Sequence, residues 1–355
     1  MKKLLLDKRI LIIGGTGSVG KVLVRRVLSG EFGTPAQVTV FSRDEAKQHE
    51  MRIEFMHRTA ATDEIIYRTH EQKLRFLIGD VRSFSAVAEA LRDADIVLHA
   101  AALKQVPTCE YFPYQAVLTN ICGAENIIRA ILEFELPVET VVGISTDKAC
   151  KPVNVMGMTK AVQERVLIQA NMRSSRTRFV CVRYGNVLAS RGSVIPLFHD
   201  QIRNGGPVTL TTDEMTRFFL TLDDAVDTIL SVIRNAGRGE TYVPIVPSAR
   251  MRDVATALIG QRKIAIRVIG IRPGEKIHEV LVSEEEAFRT VRRDDHYVIL
   301  PILPELRNSL PGCETLRREY SSADNLLTLD QVTALLTKRR LIFDDVAKLS
   351  SELLT

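Results

Sequence analysis

The chain has 355 residues, of which 45% are hydrophobic and 26% charged, with a formal net charge of +5 at pH 7. This is the composition of a globular protein long enough for a large core and a second, smaller lobe. The basic residues are scattered and no RNA- or DNA-binding motif is present, so we exclude nucleic acid as a partner and favour anionic small molecules.

No apolar run approaches the length of about 20 residues that a membrane span requires. The apolar stretch at residues 4–6 is interrupted by three charged residues, which is untypical of a signal peptide. The cysteines are odd in number and lack metal-ligand spacing; they are Cys109, Cys122, Cys150, Cys181 and Cys313. We therefore expect a cytoplasmic protein with reduced thiols, no membrane span and no metal site.

The chain is organised around a strand, a glycine-rich turn and the start of a helix. An apolar run at residues 10–13 predicts a buried parallel strand, and helical periodicity follows at 21–28. Three intervening glycines at three-residue spacing allow a tight turn and close approach of a pyrophosphate, which the helix N-terminus attracts. This context favours nucleotide binding over a purely structural turn. The predicted contacts are Gly14, Thr16, Gly17, Ser18, Val19 and Gly20.

The second strand, at residues 37–42, ends in Ser42 and Arg43, and Lys47 follows one helical turn later. An acidic residue at this position binds the ribose hydroxyls of NAD, whereas an arginine can pair with the 2′-phosphate of NADP. We therefore predict NADP, while Asp44 keeps NAD open. The alternative is that Arg43 and Lys47 only face solvent at the start of a helix.

Two further strands are predicted at residues 74–78 and 95–99. Asp80 and Val81 follow the first, where an open α/β sheet binds its ligand, although Asp80 could instead cap the helix near Ser83. Small residues after the second, Ala100 and Ala101, permit close approach of a cofactor. Lys104 adds a cation, and a long helix is predicted at residues 113–135.

A fifth strand at residues 138–144 delivers Thr146, Asp147 and Lys148 at its end. On the next helix, Met156 and Lys160 are four residues apart and share one face, which we expect to point at the nicotinamide. A sixth strand at residues 179–182 precedes Asn186.

The alternation of strands and helices predicts an α/β fold with a Rossmann-type, doubly wound parallel sheet and a smaller C-terminal α/β substrate lobe. We expect residues 1–185 to form the NADP-binding domain, with about 220–236 returning to it. Residues 186–355 would form the substrate-binding lobe and a C-terminal extension, with helices at 194–203 and 329–341.

Three segments in this order carry a resemblance to a known family: Ser145-Thr146-Asp147-Lys148, Met156-x-x-x-Lys160 and Arg183-Tyr184-Gly185-Asn186-Val187. They resemble the nucleotide-sugar 4,6-dehydratases that act on UDP-N-acetylglucosamine, within the extended short-chain dehydrogenase/reductase superfamily. Further matches lie at residues 41–45, 100–107, 215–218 and 272–279, so the resemblance covers roughly residues 8–300. Length and the lack of membrane helices are similar to the inverting subgroup, which serves bacterial surface glycan pathways.

The resemblance implies oxidation at C4, elimination of water across C5 and C6, and hydride return to C6. It makes Asp147 the acid for the 6-hydroxyl and Lys148 the base at C5, which requires a lowered lysine pKa from burial or from the cations Lys104 and Lys160. Lys160 would also hold the nicotinamide ribose, and Thr146 would hydrogen-bond the C4 oxygen. The alternative for Asp147 and Lys148 is a solvated loop pair.

The substrate side is also assigned by resemblance. Arg217 and Arg272 would bind the diphosphate, because a planar guanidinium can hold two oxygens. Glu275 and His278 would shape the uridine end, with Lys104 and Asn186 nearby; the alternative for residues 272–276 is a surface turn. The family also implies a homo-oligomer.

One departure from the superfamily concerns Met156, which stands where a tyrosine is usual. A thioether is neither a general acid nor a base, so Met156 can only shape the site, and the acceptor of the C4 hydroxyl proton has no assigned residue. A retaining 4,6-dehydratase or a UDP-sugar 4-epimerase stays open, as does a catalytically silent NADP-binding scaffold. The Asp147 and Lys148 pair favours dehydration, because an epimerase needs no acid for a 6-hydroxyl.

Overall fold

The computed structural model describes residues 3–60, 73–188, 194–307 and 314–342. The strands are β1 (Arg9–Ile13), β2 (Gln37–Ser42), β3 (Leu74–Ile78), β4 (Ile96–His99), β5 (Thr140–Thr146), β6 (Arg178–Tyr184), β7 (Val208–Leu210), β8 (Thr216–Phe218), β9 (Thr241–Pro244), β10 (Ser248–Arg250), β11 (Ile266–Val268), β12 (Val280–Val282), β13 (Thr290–Arg293), β14 (His296–Ile299) and β15 (Tyr320–Ser321). The α-helices are α1 (Ser18–Leu28), α2 (Glu45–Ala60), α3 (Phe84–Leu91), α4 (Val106–Tyr111), α5 (Pro113–Ala116), α6 (Gly123–Glu133), α7 (Val155–Arg173), α8 (Val194–Arg203), α9 (Leu222–Asn235), α10 (Met251–Ile259), α11 (Glu284–Ala287) and α12 (Leu329–Lys338).

A nine-stranded sheet forms the centre of the molecule, in the order β13-β14-β9-β6-β5-β4-β1-β2-β3. Seven strands of this sheet pair in parallel, namely β9, β6, β5, β4, β1, β2 and β3. Strands β14 and β13 extend the sheet beyond β9 in antiparallel fashion. The predicted Rossmann-type α/β fold is confirmed. The strand order reverses between β1 and β4, and the carboxyl ends of strands at such a reversal are where open α/β sheets bind ligands.

Alternating side chains place apolar residues on both faces of this sheet. On β1, Ile12 belongs to a core with Val40 and Val226, while Leu11 and Ile13 belong to the core on the other face. Consecutive buried residues of this kind identify a strand covered by helices on both sides.

The predicted helix at residues 113–135 is interrupted. It forms α5, a π-helical turn at Val117–Cys122, and α6. Within the π-helical turn, the Asn120 side chain accepts from the Leu103 N–H at 2.8 Å and donates to Thr159 Oγ1 at 2.9 Å. Hydrophobic periodicity does not reveal these buried side-chain hydrogen bonds, which fix the turn.

The fifth strand extends two residues further than predicted, so Ser145 and Thr146 belong to β5 and pair with Arg183 and Tyr184 of β6. A single 3₁₀ turn, Asp147–Ala149, follows. Polar residues at the end of a strand resemble a loop in sequence, but here they are paired.

The chain beyond β6 contributes to both parts of the molecule. Helix α9 packs on α1, and β9, β14 and β13 then join the main sheet. Helix α8 has its predicted bounds, and α12 is three residues shorter than predicted. The division at residue 185 stays a prediction, since the sheet also includes chain after the predicted return at 220–236.

A third apolar core lies under the short two-stranded sheets, between α8, α10 and α12; Phe198, Leu258 and Leu336 belong to it. Across the described ranges, no helix is both long and apolar enough to cross a membrane. Four cysteines are free thiols, and Cys313 lies outside the described residues.

Candidate active site

A cleft of about 1220 Å³ opens at the carboxyl ends of the parallel strands. Pockets for single small ligands measure about 300–1,000 Å³, so this volume accommodates more than one. The predicted site residues that line the cleft are Gly14, Thr16, Gly17, Ser18, Val19, Gly20, Ser42, Arg43, Lys47, Asp80, Val81, Ala100, Ala101, Lys104, Thr146, Lys148, Met156, Lys160, Asn186, Arg217, Arg272 and Glu275. Asp147 and His278 do not line it.

The glycine turn lies where β1 enters the cleft. Gly14 has a φ of +83°, and a Cβ there would lie 2.7 Å from the Ala101 nitrogen. A Cβ at Gly20 would lie 2.5 Å from the Gly15 carbonyl oxygen, so α1 can approach the turn only with glycine at this position. Gly17 caps α1 without a side chain to accept from the first-turn N–H groups, which suits an anion at this helix start.

Charged side chains surround the end of β2. Lys47 Nζ lies 2.5 Å from Asp44 Oδ2, and the exposed Arg43 Nη1 lies 3.9 Å from Asp80 Oδ2. Burial raises the pKa of Asp80, but Arg82 and Arg43 outweigh it and the net pKa is lowered. Ser83 accepts from the Ala86 N–H as the cap of α3, so the alternative of Asp80 as the helix cap is wrong.

The segment after β5 forms a chain of polar contacts. Thr146 Oγ1 donates to Asp147 Oδ1 at 2.8 Å, and Lys148 Nζ donates to the same oxygen at 3.1 Å. Lys148 Nζ also donates to Asn186 Oδ1 at 3.3 Å. Asp147 is 1% exposed, and its Oδ2 has no hydrogen-bond partner among the described residues. Thr146 and Lys148 therefore face the cleft, with the Asp147 carboxylate directly behind them. This buried placement excludes the alternative of a solvated loop pair.

The pKa of Lys148 is raised, contrary to the lowered value that the sequence analysis required. Burial lowers it, but the carboxylates of Asp147 and Glu279 outweigh both burial and the charge of Arg217. Glu279 Oε1 lies 3.5 Å from Lys148 Nζ. This second carboxylate comes from a distant segment of the chain, so its contact with Lys148 could not be predicted from sequence.

Helix α7 begins directly against this turn. A Cβ at Gly157 would overlap the Lys148 carbonyl oxygen, so the helix can approach so closely only with glycine there. Asn154 caps the helix, accepting from the Gly157 N–H at 2.8 Å. Met156 and Lys160 line the cleft from the same helical face, as predicted.

Lys160 is 5% exposed, and its Nζ donates to the Ile144 carbonyl at 2.5 Å and to Gln163 Oε1 at 2.6 Å. Burial lowers its pKa to about 8, although Glu164 opposes this. The ammonium group is therefore rigidly placed beside β5, and its proton is held less firmly than that of a solvated lysine.

On the substrate side, backbone carbonyls fix the orientation of Arg217. Its guanidinium donates to the carbonyls of Thr216 at 2.7 Å and of Ile277 and Lys276 at 3.0 Å each. Arg272 is exposed and lies 3.9 Å from Glu275.

His278 lies outside the cleft, where its Nδ1 is 2.9 Å from Thr216 Oγ1. The structure therefore brings Arg217, Arg272 and Glu275 to one cleft and leaves His278 at its edge.

The sequence analysis assigned no role to two buried groups that line the cleft, Tyr184 and Glu279. Tyr184 Oη has no hydrogen-bond partner in the described part of the chain, and burial raises its pKa. Tyr184 belongs to a recognised motif, and its place at the end of β6 was a usable signal. For Glu279, no local pattern indicated burial.

Within the described ranges, no group of three or more histidine, cysteine, aspartate or glutamate side chains could hold a metal ion.

The cleft at the strand-order reversal of this Rossmann sheet is surrounded by a glycine turn before a helix, by small residues and by cations. These features define a nucleotide-binding α/β protein. The chain belongs to the polysaccharide biosynthesis protein family, whose model matches residues 10–301. It shares the fold of the extended short-chain dehydrogenases/reductases with solved structures of nucleotide-sugar enzymes.

Three comparisons illustrate this membership. A protein of Rickettsia conorii named UDP-glucose 4-epimerase is 44% identical over 298 residues, covering 82% of this chain and 83% of its own length. The X-ray structure of Pen from Bacillus thuringiensis is 34% identical with a TM-score of 0.83, covering 95% of this chain and 99% of that one. DesIV, a dTDP-glucose 4,6-dehydratase from Streptomyces venezuelae solved with NAD and TYD bound, is 22% identical with a TM-score of 0.63, covering 76% and 86%, and shows a shared fold.

Proposed function

We propose that the protein is a nucleotide-sugar 4,6-dehydratase. It converts UDP-N-acetylglucosamine to the UDP-4-keto-6-deoxy-N-acetylhexosamine with inversion at C5, for bacterial surface glycan biosynthesis. The observation that carries the proposal is the contact chain from Thr146 through Asp147 to Lys148 at the edge of the cleft. It brings a hydroxyl and an amine to the cleft with a buried carboxyl in contact with both, which supports the proton transfers that elimination of water requires.

The contact between Thr146 and Asp147 supplies an acceptor for the C4 hydroxyl proton, which the methionine at position 156 cannot accept. The Thr146 hydroxyl already donates to Asp147 Oδ1, so it can take a proton from the sugar while passing its own to the carboxylate. Asp147 is then protonated, and because it does not line the cleft it returns this proton through the Thr146 hydroxyl to the departing 6-hydroxyl. The same proton serves both steps, and Asp147 returns to its starting state.

Bound NADP would supply reversible hydride acceptance, which makes C4 a ketone and the C5 hydrogen acidic. Lys148 in its neutral form removes the C5 proton and releases it to solvent, and loss of the Asp147 charge in the first step favours this neutral form because that charge raises the lysine pKa. Inversion requires that C5 then receive a solvent proton on the opposite face of the ring. Lys160, held beside β5 by Ile144 and Gln163, would supply a cation next to the nicotinamide ribose. Met156 shapes the wall next to it.

The proposal includes NADP, bound by residues 1–185, with the nucleotide sugar bound mainly by residues 186–355 in a cytoplasmic homo-oligomer. Arg43 supports NADP, because it is exposed at the end of β2 and free to pair with a 2′-phosphate in addition to Asp80. Asp44 is already paired with Lys47, which disfavours it as a ribose ligand. The glycine turn, Asp80 and Val81 would hold the rest of the dinucleotide.

The cofactor choice is tested by Arg43→Ala. Loss of a charge-assisted contact of about 1.5–3 kcal/mol should weaken NADP binding about 10- to 150-fold and leave NAD nearly unchanged. Fluorescence titration of both cofactors measures this. The control is Arg92→Ala, since Arg92 is exposed at the C-terminal end of α3 and does not line the cleft. Equal weakening of NAD and NADP would contradict the assignment.

The reaction is tested by proton NMR of the purified protein with UDP-N-acetylglucosamine in heavy water, without added cofactor. A new 6-methyl signal with deuterium at C5 would support dehydration, and the couplings around C5 distinguish inversion from retention. An unchanged sugar after addition of NADP and NAD, for this and other nucleotide sugars, would favour a catalytically silent scaffold.

A 4-epimerase is the second candidate, because relatives with this name share 44% identity. Both reactions oxidise C4, but only dehydration needs an acid for the 6-hydroxyl. The product that the unmodified chain forms separates them in proton NMR, because a dehydratase gives a 6-methyl signal and an epimerase gives only the C4 epimer. In a dehydratase, Asp147→Asn should lower both C4 oxidation, followed through cofactor absorbance, and the 6-methyl product by a large factor.

A further inference from the structure

Glu279 presents a buried carboxylate to the cleft. Its side chain is 4% exposed, with Oε1 at 3.5 Å from Lys148 Nζ and at 3.8 Å from Arg217 Nε. The second oxygen, Oε2, is buried and has no hydrogen-bond partner among the described residues. Burial of an unpaired carboxylate has a high free-energy cost, so the two cationic neighbours, Lys148 and Arg217, stabilise the Glu279 charge.

The backbone around Glu279 is fixed from another segment. Its N–H donates to Ser322 Oγ at 2.9 Å, and its carbonyl accepts from the Ser322 N–H at 2.8 Å. Ser322 Oγ also lies 2.7 Å from Thr216 Oγ1, next to Arg217. The carboxylate is therefore anchored at the start of β12 and does not behave as a mobile surface glutamate.

Lys148 consequently lies between two carboxylates, at 3.1 Å from Asp147 and 3.5 Å from Glu279. The charged groups facing its amine are these two carboxylates and Arg217, and Asn186 is its neutral partner. With Asp147 alone, the amine would be drawn toward the buried side. The second carboxylate belongs to a residue that lines the cleft, as Asp147 does not, so the two attractions together hold the amine at the surface of the cleft.

We propose that Glu279 is a further positioning residue of the acid–base machinery, which holds the Lys148 amine between two carboxylates and aims it into the cleft. The inference rests on the proposed function for its catalytic meaning. Its electrostatic consequence does not: removal of the Glu279 charge leaves Lys148 with one carboxylate and one nearby arginine, so the lysine loses its proton at lower pH.

The first readout is independent of turnover. Reductive methylation with ¹³C labels lysine amines, the Lys148 signal is assigned with Lys148→Arg, and its titration is followed by NMR in the unmodified chain and in Glu279→Gln. Loss of an opposite charge at this distance should move the midpoint down by about 1–3 pH units. Glu275→Gln is the matched control, because Glu275 also lines the cleft but does not contact Lys148. In this variant the Lys148 midpoint should stay at that of the unmodified chain.

The second readout is the pH dependence of kcat. In Glu279→Gln the rise of kcat with pH should occur at lower pH, together with the Lys148 midpoint. The plateau value of kcat should fall because the amine is no longer held in position. KM should change little, because three carbonyls still hold Arg217. Glu279→Asp retains the charge and should restore the pH profile in part. If Glu279→Gln does not fold, a smaller downward shift in Glu279→Asp carries the test.

The outcomes separate the two proposals. A shifted Lys148 midpoint with no sugar turned over would support the placement of Glu279 and overturn the dehydratase assignment. Normal dehydration with a midpoint and kcat profile unchanged in both Glu279 variants would overturn the role of Glu279 and leave the dehydratase assignment intact.

Discussion

At the scale of single residues, His99 shows how strongly this sheet excludes water near its cleft. It is the last residue of β4, fully buried, and neither ring nitrogen has a hydrogen-bond partner in the described ranges. Burial, with a further contribution from the charge of Lys160, lowers its pKa to about 3. The ring is therefore neutral in the native protein at any pH where the protein functions.

Replacement of His99 should make stability less dependent on pH. A histidine in the unfolded chain has a pKa of about 6.5, so below that pH the unfolded state binds a proton that the native state does not bind. The free energy of unfolding therefore decreases as the pH falls from about 6.5 toward 3. Between pH 7.5 and 5 this loss is about 2 kcal/mol, and His99→Leu should abolish it. Urea unfolding at the two pH values measures it. The exposed His49 gives the control His49→Leu, which should retain the full loss; an equal loss in both variants would refute the argument.

The site residues that could be predicted from sequence are those whose role depends on residues close to them in the chain. Gly14 and Gly20 were predictable because a close backbone approach needs glycine, and Thr146 and Lys148 because they lie at the carboxyl end of a parallel strand. Glu279 was not predictable as a neighbour of Lys148, since their meeting depends on the pairing of β12 with β15 outside the main sheet. The raised pKa of Lys148 follows from this non-local contact.

At the scale of elements, the bounds of β2 and β3 were predictable from alternating apolar residues, whereas the π-helical turn and the end of β5 were not. Both exceptions are set by buried polar contacts: Asn120 with Thr159, and Ser145 Oγ donating to Glu164 Oε1 at 2.5 Å. Apolar periodicity carries no information on such contacts. These elements border the cleft, so the features that escape prediction lie beside the predicted site.

The junction of α7 with the turn Asp147–Ala149 can be tested by Gly157→Ala. The added Cβ would overlap the Lys148 carbonyl, which is backbone and cannot move without displacing the Lys148 side chain. Because a misplacement of about 1 Å can lower a rate on the order of 10²-fold, kcat should fall by that order. Gly143→Ala is the control, since its Cβ would overlap only the flexible end of Leu167. Thermal unfolding of both variants separates lost stability from lost rate; a Gly157→Ala enzyme with normal kcat would rule out this coupling.

At the scale of the whole molecule, one buried ion cluster joins the parallel sheet to the later part of the chain. Arg183 of β6 lies 2.6 Å from Glu164 of α7 and 2.6 Å from Glu286 of α11. Arg183 also donates to the Leu281 carbonyl of β12 at 2.9 Å. The segment that carries Glu279 toward Lys148 is therefore fastened to the sheet by a bidentate guanidinium.

The ion pair between Arg183 and Glu286 should be lost in Glu286→Gln. Burial raises the pKa of Glu286, but Arg183 outweighs it and lowers the pKa to about 2. Its stabilising contribution is thus present above the unfolded value of about 4.3 and lost as pH falls through about 2. Removing one partner of a buried pair typically lowers the free energy of unfolding by about 3–5 kcal/mol, so we expect that loss at pH 7.

Urea unfolding at pH 7 and at pH 3 measures this, and the difference between Glu286→Gln and the unmodified chain should narrow at the lower pH. Glu284 lies on the same helix but is 66% exposed, so Glu284→Gln should change stability by less than about 1 kcal/mol. If the cluster fastens the two parts, Glu286→Gln should also be cleaved by protease within residues 279–299 sooner than Glu284→Gln. Equal stability and equal cleavage in the two variants would show that apolar packing alone holds the cleft together.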